Sequence, residues 1–284
     1  MSDQDLRHLK QNNVKTDAVV EDTSAFSLQV FKQNLQNTRN ILDKRTVNVE
    51  KRKRPINTLT LPQNLASFAV VLIGLCLLFL DKGTYHWVKD LPPQLGPLFR
   101  MLSNMGESWW MLIPSFVLII VLLSCNVKKH DRRRKTQQLA FVIYSSYIFS
   151  TVAISGILVV ILKWNIGRAR PKLFEDVGAF YFDLFAWSGK YTSFPSGHAT
   201  SAAAFSTALA FLFPRQKFPI IIFGLWVAFG RVFVGAHYPS DVIAGFALGS
   251  IVCILITRWF ANRKIGFSYS RPKSIQRTLS FSGK

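Results

Sequence analysis

AVVLIGLCLLFL, from Ala69 to Leu80, decides the class of this chain, because no charged or strongly polar side chain interrupts it. A helix half in water would show a polar residue every third or fourth position. A bilayer core asks instead for roughly 20 consecutive apolar residues per helix. Outward from this stretch the same texture recurs at 64–80, 108–125, 139–162, 198–213, 218–234 and 241–260. The sequence therefore predicts an all-α, polytopic membrane bundle of about six transmembrane helices. Residues 1–60 read as a polar, basic N-terminal cytoplasmic tail, 61–262 as the membrane domain and 263–284 as a basic C-terminal tail. Within the N-terminal tail, Phe26 to Leu42 can form an amphipathic helix, although a flexible tail is the expectation. Between the first two runs lies a Pro-rich polar segment, Asp81 to Met105, whose Leu98, Phe99, Met101 and Leu102 suit an interfacial helix.

The net charge of +20 raises the possibility of nucleic acid. The Lys and Arg residues lie mainly between and outside the apolar runs, not interleaved with aromatics as a nucleic-acid groove requires, and no nucleic-acid partner is expected. They set orientation instead. Lys51 to Arg54, then Lys128, Lys129 and Arg132 to Lys135, then Arg215 and Lys217, then Arg263, Lys264, Arg271, Lys273 and Arg277 form four basic segments. Six crossings put all four on one side, so both termini are predicted to be cytoplasmic. Cys76, Cys125 and Cys253 lie inside apolar runs and read as small hydrophobes. The polar N-terminus shows no cleavable signal peptide, and the absence of an Asn-x-Ser/Thr sequon is compatible with a bacterial protein, for which the expected location is the inner membrane. No pattern identifies a protein partner.

The opposite face carries the chemistry. Lys163 ends the third run and is followed by WNIGRARP, with Arg168 and Arg170. Arg231 interrupts an otherwise uncharged stretch, and a charge at membrane depth usually has a partner or a task. Pro195-Ser196-Gly197-His198 opens the fourth run. Helix N-termini hold anions through unpaired N–H groups, Gly197 lets a ligand approach the backbone, and Ser196 is either a cap or a hydroxyl donor. His237 and Asp241 are four residues apart, bracketing Pro239. That spacing brings a carboxylate to one imidazole nitrogen and leaves the other free to attack. Fixed cations and donors of this kind stabilise a transferring phosphoryl group. Glu175, Asp176 and Asp183 are scattered and read as solvated, so neither metal nor cofactor is expected.

The spacing Lys163-x6-Arg170-Pro171, Pro195-Ser196-Gly197-His198 and Arg231-x5-His237-x3-Asp241 resembles the three signatures of the type 2 phosphatidic acid phosphatase superfamily, which shares its core with vanadium haloperoxidases. One position departs: Gly230 stands where the signature often has Ser. The resemblance implies a bacterial-type membrane lipid phosphatase. His237 would form a phosphohistidine, Asp241 would orient it, and His198 would protonate the leaving group. Lys163, Arg170, Ser196, Gly197 and Arg231 would bind phosphate; Arg168 lies within the first motif but is not a signature position, and reads as a possible substrate contact. The substrate would be a membrane-borne lipid phosphate or pyrophosphate of the undecaprenyl pyrophosphate, lipid A, phosphatidylglycerol phosphate or phosphatidic acid class, met at a periplasmic site. Alternatives are a phosphotransferase with a lipid or sugar acceptor, a haloperoxidase holding vanadate, and a non-catalytic scaffold or lipid carrier. Ala202 to Ala204 and the pair Gly245 and Gly249 are expected to permit close helix packing.

Overall fold

The computed structural model describes residues 28–46, 62–125, 131–270 and 274–279. The basic groups at Lys51 to Arg54, Lys128, Lys129, Arg271 and Lys273 lie outside them. Eight helices of more than one turn are described: α1 (Leu28–Thr46), α2 (Pro62–Lys89), α3 (Gly96–Asn104), α4 (Trp109–Ser124), α5 (Arg132–Ile166), α6 (Gly197–Leu212), α7 (Lys217–Phe233) and α8 (Pro239–Asn262). Among the described residues, five helical segments are long and apolar enough to cross a membrane: Pro62–Lys89, Pro93–Ser124, Arg133–Ile166, Pro214–Phe233 and Pro239–Asn262. The other expected crossing is α6. With 16 residues it reaches about 24 Å, short of a hydrocarbon core of roughly 30 Å. It is sheathed by α5, α7 and α8, and Ala199 to Ala204 are all buried.

The bundle is organised around α8, which packs on α2, α5 and α6. Two thirds of its most apolar window is buried (67%), against 11% for α2, so α8 is the axis and α2 lies on the rim. The rim helices turn Phe68, Val71, Phe79, Ile113 and Phe116 outward, as expected where lipid is the solvent. Between α8 and α6 the backbones nearly touch. A Cβ at Gly245 would collide with the Ser196 carbonyl oxygen, and one at Gly249 with that of Thr200. The expected small-residue packing is therefore present.

Three features differ from the sequence reading. α2 does not stop at Leu80 but runs on through the polar residues to Lys89, after a wide π turn at Cys76–Leu80. The N-terminal region contains α1, docked where the Asn34 side-chain amide donates to the Leu123 carbonyl at 2.8 Å. Part of the expected C-terminal tail folds as an antiparallel hairpin, β1 (Phe267–Ser270) with β2 (Ser274–Arg277). The hairpin is held because Phe267 is fully buried with Tyr144, Tyr147 and Phe260. In addition, the Tyr144 hydroxyl donates to the Gly266 carbonyl at 2.9 Å. Both added elements sit at one end of the bundle. Lys163 in the last turn of α5, Ser196 capping α6, Arg231 in the last turn of α7 and Asp241 in the first turn of α8 all lie at the other.

Candidate active site

Glycine shapes the first wall of the site. At the end of α5, Gly167 adopts φ 64°, and its N–H closes on the Lys163 carbonyl at 3.1 Å. A Cβ there would overlap the Asp183 carbonyl oxygen, so no other residue fits. The following segment is pinned on both sides, by Ala169 N–H to Tyr181 O (3.0 Å) and by Ser193 N–H to Arg168 O (3.0 Å). The Arg170 guanidinium donates to the Gly189 carbonyl at 3.0 Å and to the Thr192 hydroxyl at 3.1 Å, which fixes its direction.

Ser196 caps α6, its Oγ accepting from the Ala199 N–H at 3.5 Å, and is wholly buried. Its N–H donates to the Asp241 carbonyl at 3.0 Å, which ties the start of α6 to the start of α8. Lys163 reaches this N-terminus, because a Cβ on Gly197 would lie 3.4 Å from the Lys163 Nζ. A cation and free helical N–H groups thus flank one point, as an anion site requires. His198, half-buried in the first turn, packs against Gly106, where a Cβ would come within 3.0 Å of the His198 Cβ.

His237 is 2% exposed, and its Nδ1 lies 3.6 Å from Asp241 Oδ2. That is beyond a hydrogen bond, a looseness common before substrate tightens a site. Burial pushes the imidazole down to about 4; Asp241 opposes this shift, and Lys163 and Arg231 reinforce it. His237 is therefore a neutral base at ordinary pH. It borders a cavity of about 330 Å³ that Tyr85, Lys89 and Lys172 also line.

The structure thus brings Lys163, Arg170, Ser196, Gly197, His198, Arg231, His237 and Asp241 to one end of the bundle. Arg168 is the correction. The sequence makes it a possible substrate contact, yet it is 0% exposed. Its Nη1 donates to Asp241 Oδ1 (2.5 Å) and Ser240 Oγ (2.6 Å), its Nη2 to Asp81 Oδ2 (2.8 Å) and the Ala179 carbonyl (2.8 Å), and its Nε to the same carbonyl (3.2 Å). A guanidinium has five N–H donors, and these contacts occupy all of them.

Three residues in these contacts carry no motif signal. Ser193 donates to Asp241 Oδ2 at 2.6 Å and lies 3.4 Å from His237 Nδ1. Ser103 on α3 accepts from Arg231 Nη1 at 2.7 Å. Asp81, fully buried, meets Arg168 and Ser240. Ser103 also explains Gly230, since a Cβ there would lie 3.1 Å from the Ser103 N and 3.3 Å from its Cα. Among the described residues, no three His, Cys, Asp or Glu side chains are grouped to hold a metal ion.

Comparison with known proteins places this arrangement. The PAP2 superfamily profile matches residues 144–265. The lipid A 1-phosphatase of Rhizobium etli is 41% identical over 183 residues, which cover 64% of this chain and 78% of that protein. The chain belongs to the PAP2 superfamily. The profile contains all three signatures. Another relative is the undecaprenyl-diphosphatase BcrC of Bacillus subtilis, 42% identical over 67 residues, 24% of this chain and 35% of that one. The crystal structure of a transmembrane PAP2-type phosphatidylglycerolphosphate phosphatase from Bacillus subtilis shares the fold, with TM-score 0.50 and 20% identity, over 75% of this chain and 98% of that one. The chain is accordingly an integral membrane protein of a family whose named relatives are phosphatases.

Proposed function

We propose that this chain is a membrane phosphatase that removes phosphate from a lipid phosphate or pyrophosphate through a phosphohistidine on His237, without a metal ion. One observation carries the reading: an enclosed, neutral His237 has a carboxylate 3.6 Å from one ring nitrogen and feels the cations Lys163 and Arg231. The free nitrogen attacks phosphorus as the bond to the lipid oxygen breaks. That oxygen takes a proton from His198, and the ring proton of His237 stays on the nitrogen facing Asp241. Lys163, Arg170, Arg231 and the N–H groups at Gly197 and His198 hold the phosphoryl oxygens, where charge accumulates. Water then attacks phosphorus, gives its proton to His198 and releases His237.

The lipid class rests on two supports. An apolar groove of about 320 Å³ between α4, α6 and α7 starts at Met105 and runs past Phe205, Ile220 and Phe223. Met105 adjoins Gly106, which packs on the proposed leaving-group acid. An acyl chain laid there would bring its phosphate ester to His198. Second, the relatives at 41% identity from two Rhizobium species are named lipid A 1-phosphatases, so a lipid A-type sugar 1-phosphate heads the candidates, before undecaprenyl pyrophosphate, phosphatidylglycerol phosphate and phosphatidic acid.

The same reading assigns residues 61–262 as a six-crossing phosphatase domain, with cytoplasmic termini and a periplasmic site in a bacterial inner membrane. In its support, α1 and the hairpin share the end of the bundle opposite the site. The test is phosphate release by purified protein from the four lipids, with EDTA present and water as the acceptor. Release from at least one, abolished in folded His237→Ala, is expected. Full activity in that variant would overturn the mechanism, and loss on adding EDTA would overturn metal independence.

A further inference from the structure

Asp81 lies outside the profile match and outside the three signatures. It is nevertheless fully buried, 159 positions away in sequence from the residue it grips. Its Oδ1 accepts from the Ser240 N–H at 3.1 Å, and its Oδ2 accepts from the Ser240 hydroxyl at 2.5 Å and from Arg168 at 2.8 Å. Ser240 is in the first turn of α8, immediately before Asp241. Its N–H is one of the helical donors that the helix itself leaves unpaired, so a carboxylate from α2 caps α8 beside the residue that faces His237.

Charge counting gives the network a purpose. Arg168 carries one positive charge and touches two carboxylates, so the buried group holds one negative charge in excess. If Arg168 met Asp241 alone, the pair would be neutral and the Asp241 charge would be drawn towards the guanidinium. With Asp81 taking the Nη2 side, Asp241 keeps Oδ2 for Ser193, for the Tyr238 N–H at 2.9 Å and for His237. The excess charge then faces the ring that becomes cationic when its other nitrogen bonds phosphorus.

The local helix is built for this placement. The π turn Cys76–Leu80 ends directly before Asp81. Its extra residue rotates the remainder of α2 by about 100°, and Asp81 is fully buried whereas Leu78, Phe79 and Leu80 are exposed.

We infer that Asp81 is a positioning residue for catalysis: through Arg168 and Ser240 it holds Asp241, and hence the proposed nucleophile His237, in its working orientation without touching substrate. The inference rests on the phosphohistidine reading above. Misplacement of a catalytic group by an ångström can cost on the order of a hundredfold in rate.

The test compares wild type, Asp81→Asn, Arg168→Gln and the double variant on one lipid phosphate in detergent, with thermal unfolding measured alongside. Folded Asp81→Asn should lose about tenfold to a hundredfold in kcat with KM within about threefold, as expected when only the transition state is affected. The double variant should lose less than the product of the two single losses, because Asp81 acts in part through that arginine. Ser240→Ala, which removes one hydroxyl without opening a large cavity, should lower kcat in the same direction and decides the matter if Asp81→Asn does not fold. Folded Asp81→Asn or Ser240→Ala with wild-type kcat and only a lower unfolding temperature would overturn the inference. A wild-type protein that releases no phosphate from any of the four lipids would overturn the functional reading itself, and the inference with it.

Discussion

The Ser103 hydroxyl accepts a hydrogen bond from Arg231 Nη1 at 2.7 Å, and the Ser103 backbone would crowd a side chain at Gly230. A short helix outside the three signatures thus supports a signature arginine. The Arg231 Nε is buried without a partner, so Ser103 is a main restraint on that guanidinium. Ser103→Ala should lower kcat/KM by about tenfold, the rate equivalent of roughly 1.5 kcal/mol for a hydrogen bond to a charged group. Gly230→Ser, although it restores the commoner signature residue, should lower the unfolding temperature, because the obstructing atoms are backbone. Steady-state kinetics and thermal melts of the two variants check both outcomes.

His198→Asn separates leaving-group protonation from the rest of the chemistry. General acid catalysis contributes about 10²–10⁴-fold when the leaving group is a poor one. The variant should lose on that order with a lipid alkoxide leaving group and far less with nitrophenyl phosphate, whose leaving group needs no proton. Equal losses on both substrates would remove His198 from the acid role.

On the proposed mechanism, the acid limb of the pH profile is governed by His237. Its reactive form is neutral, and its pKa in the fold is pushed down to about 4 by burial. Activity should therefore survive as pH falls through about 6.5, the ordinary imidazole value, and be lost only near 4. The substrate's own second ionisation near about 6 must first be divided out. Stability has the matching sign. Between about 6.5 and 4 the unfolded chain binds the proton more readily than the folded one, so the unfolding temperature should fall as pH falls across that window. A corrected kcat/KM profile with its acid midpoint at about 6.5 would contradict the assignment.

Gly245→Ala and Gly249→Ala test the contact between α6 and α8. Each new methyl would run into a backbone carbonyl oxygen, and overpacking of this kind typically costs about 1–3 kcal/mol. Both should unfold at lower temperature. Gly245→Ala should also lose more activity per folded molecule, since the displaced carbonyl belongs to Ser196, whose N–H bonds the Asp241 carbonyl. Activity normalised to folded protein separates the two effects.

The sequence disclosed those parts of the site that repeat along a helix or sit at its ends. Continuous apolar runs marked the bundle, and the spacing from Lys163 to Asp241 marked residues that helix ends bring together. Runs set extent less well. α2 outlasts its apolar stretch by nine residues, because Asp81, polar in isolation, is neutralised by Arg168 across the bundle. Residues that act across long separations leave no local trace. Ser103 meets Arg231 128 positions away, and Asp81 meets Ser240 159 positions away. The role of Arg168 is hidden for the same reason. It sits two residues from Arg170, and only the position of Asp81 reveals that one guanidinium is buried while the other stands in the site.

Arg168 lies between a carboxylate from α2 and one from α8. Synthesis runs from the N-terminus, so Asp81 and Arg168 enter the bilayer before α8 exists. A partly inserted chain holds Lys163 and Arg170 but lacks both His237 and the second carboxylate. On the proposed mechanism, competence to cleave phosphate arrives only with α8, and a chain cut before His237 should release no phosphate.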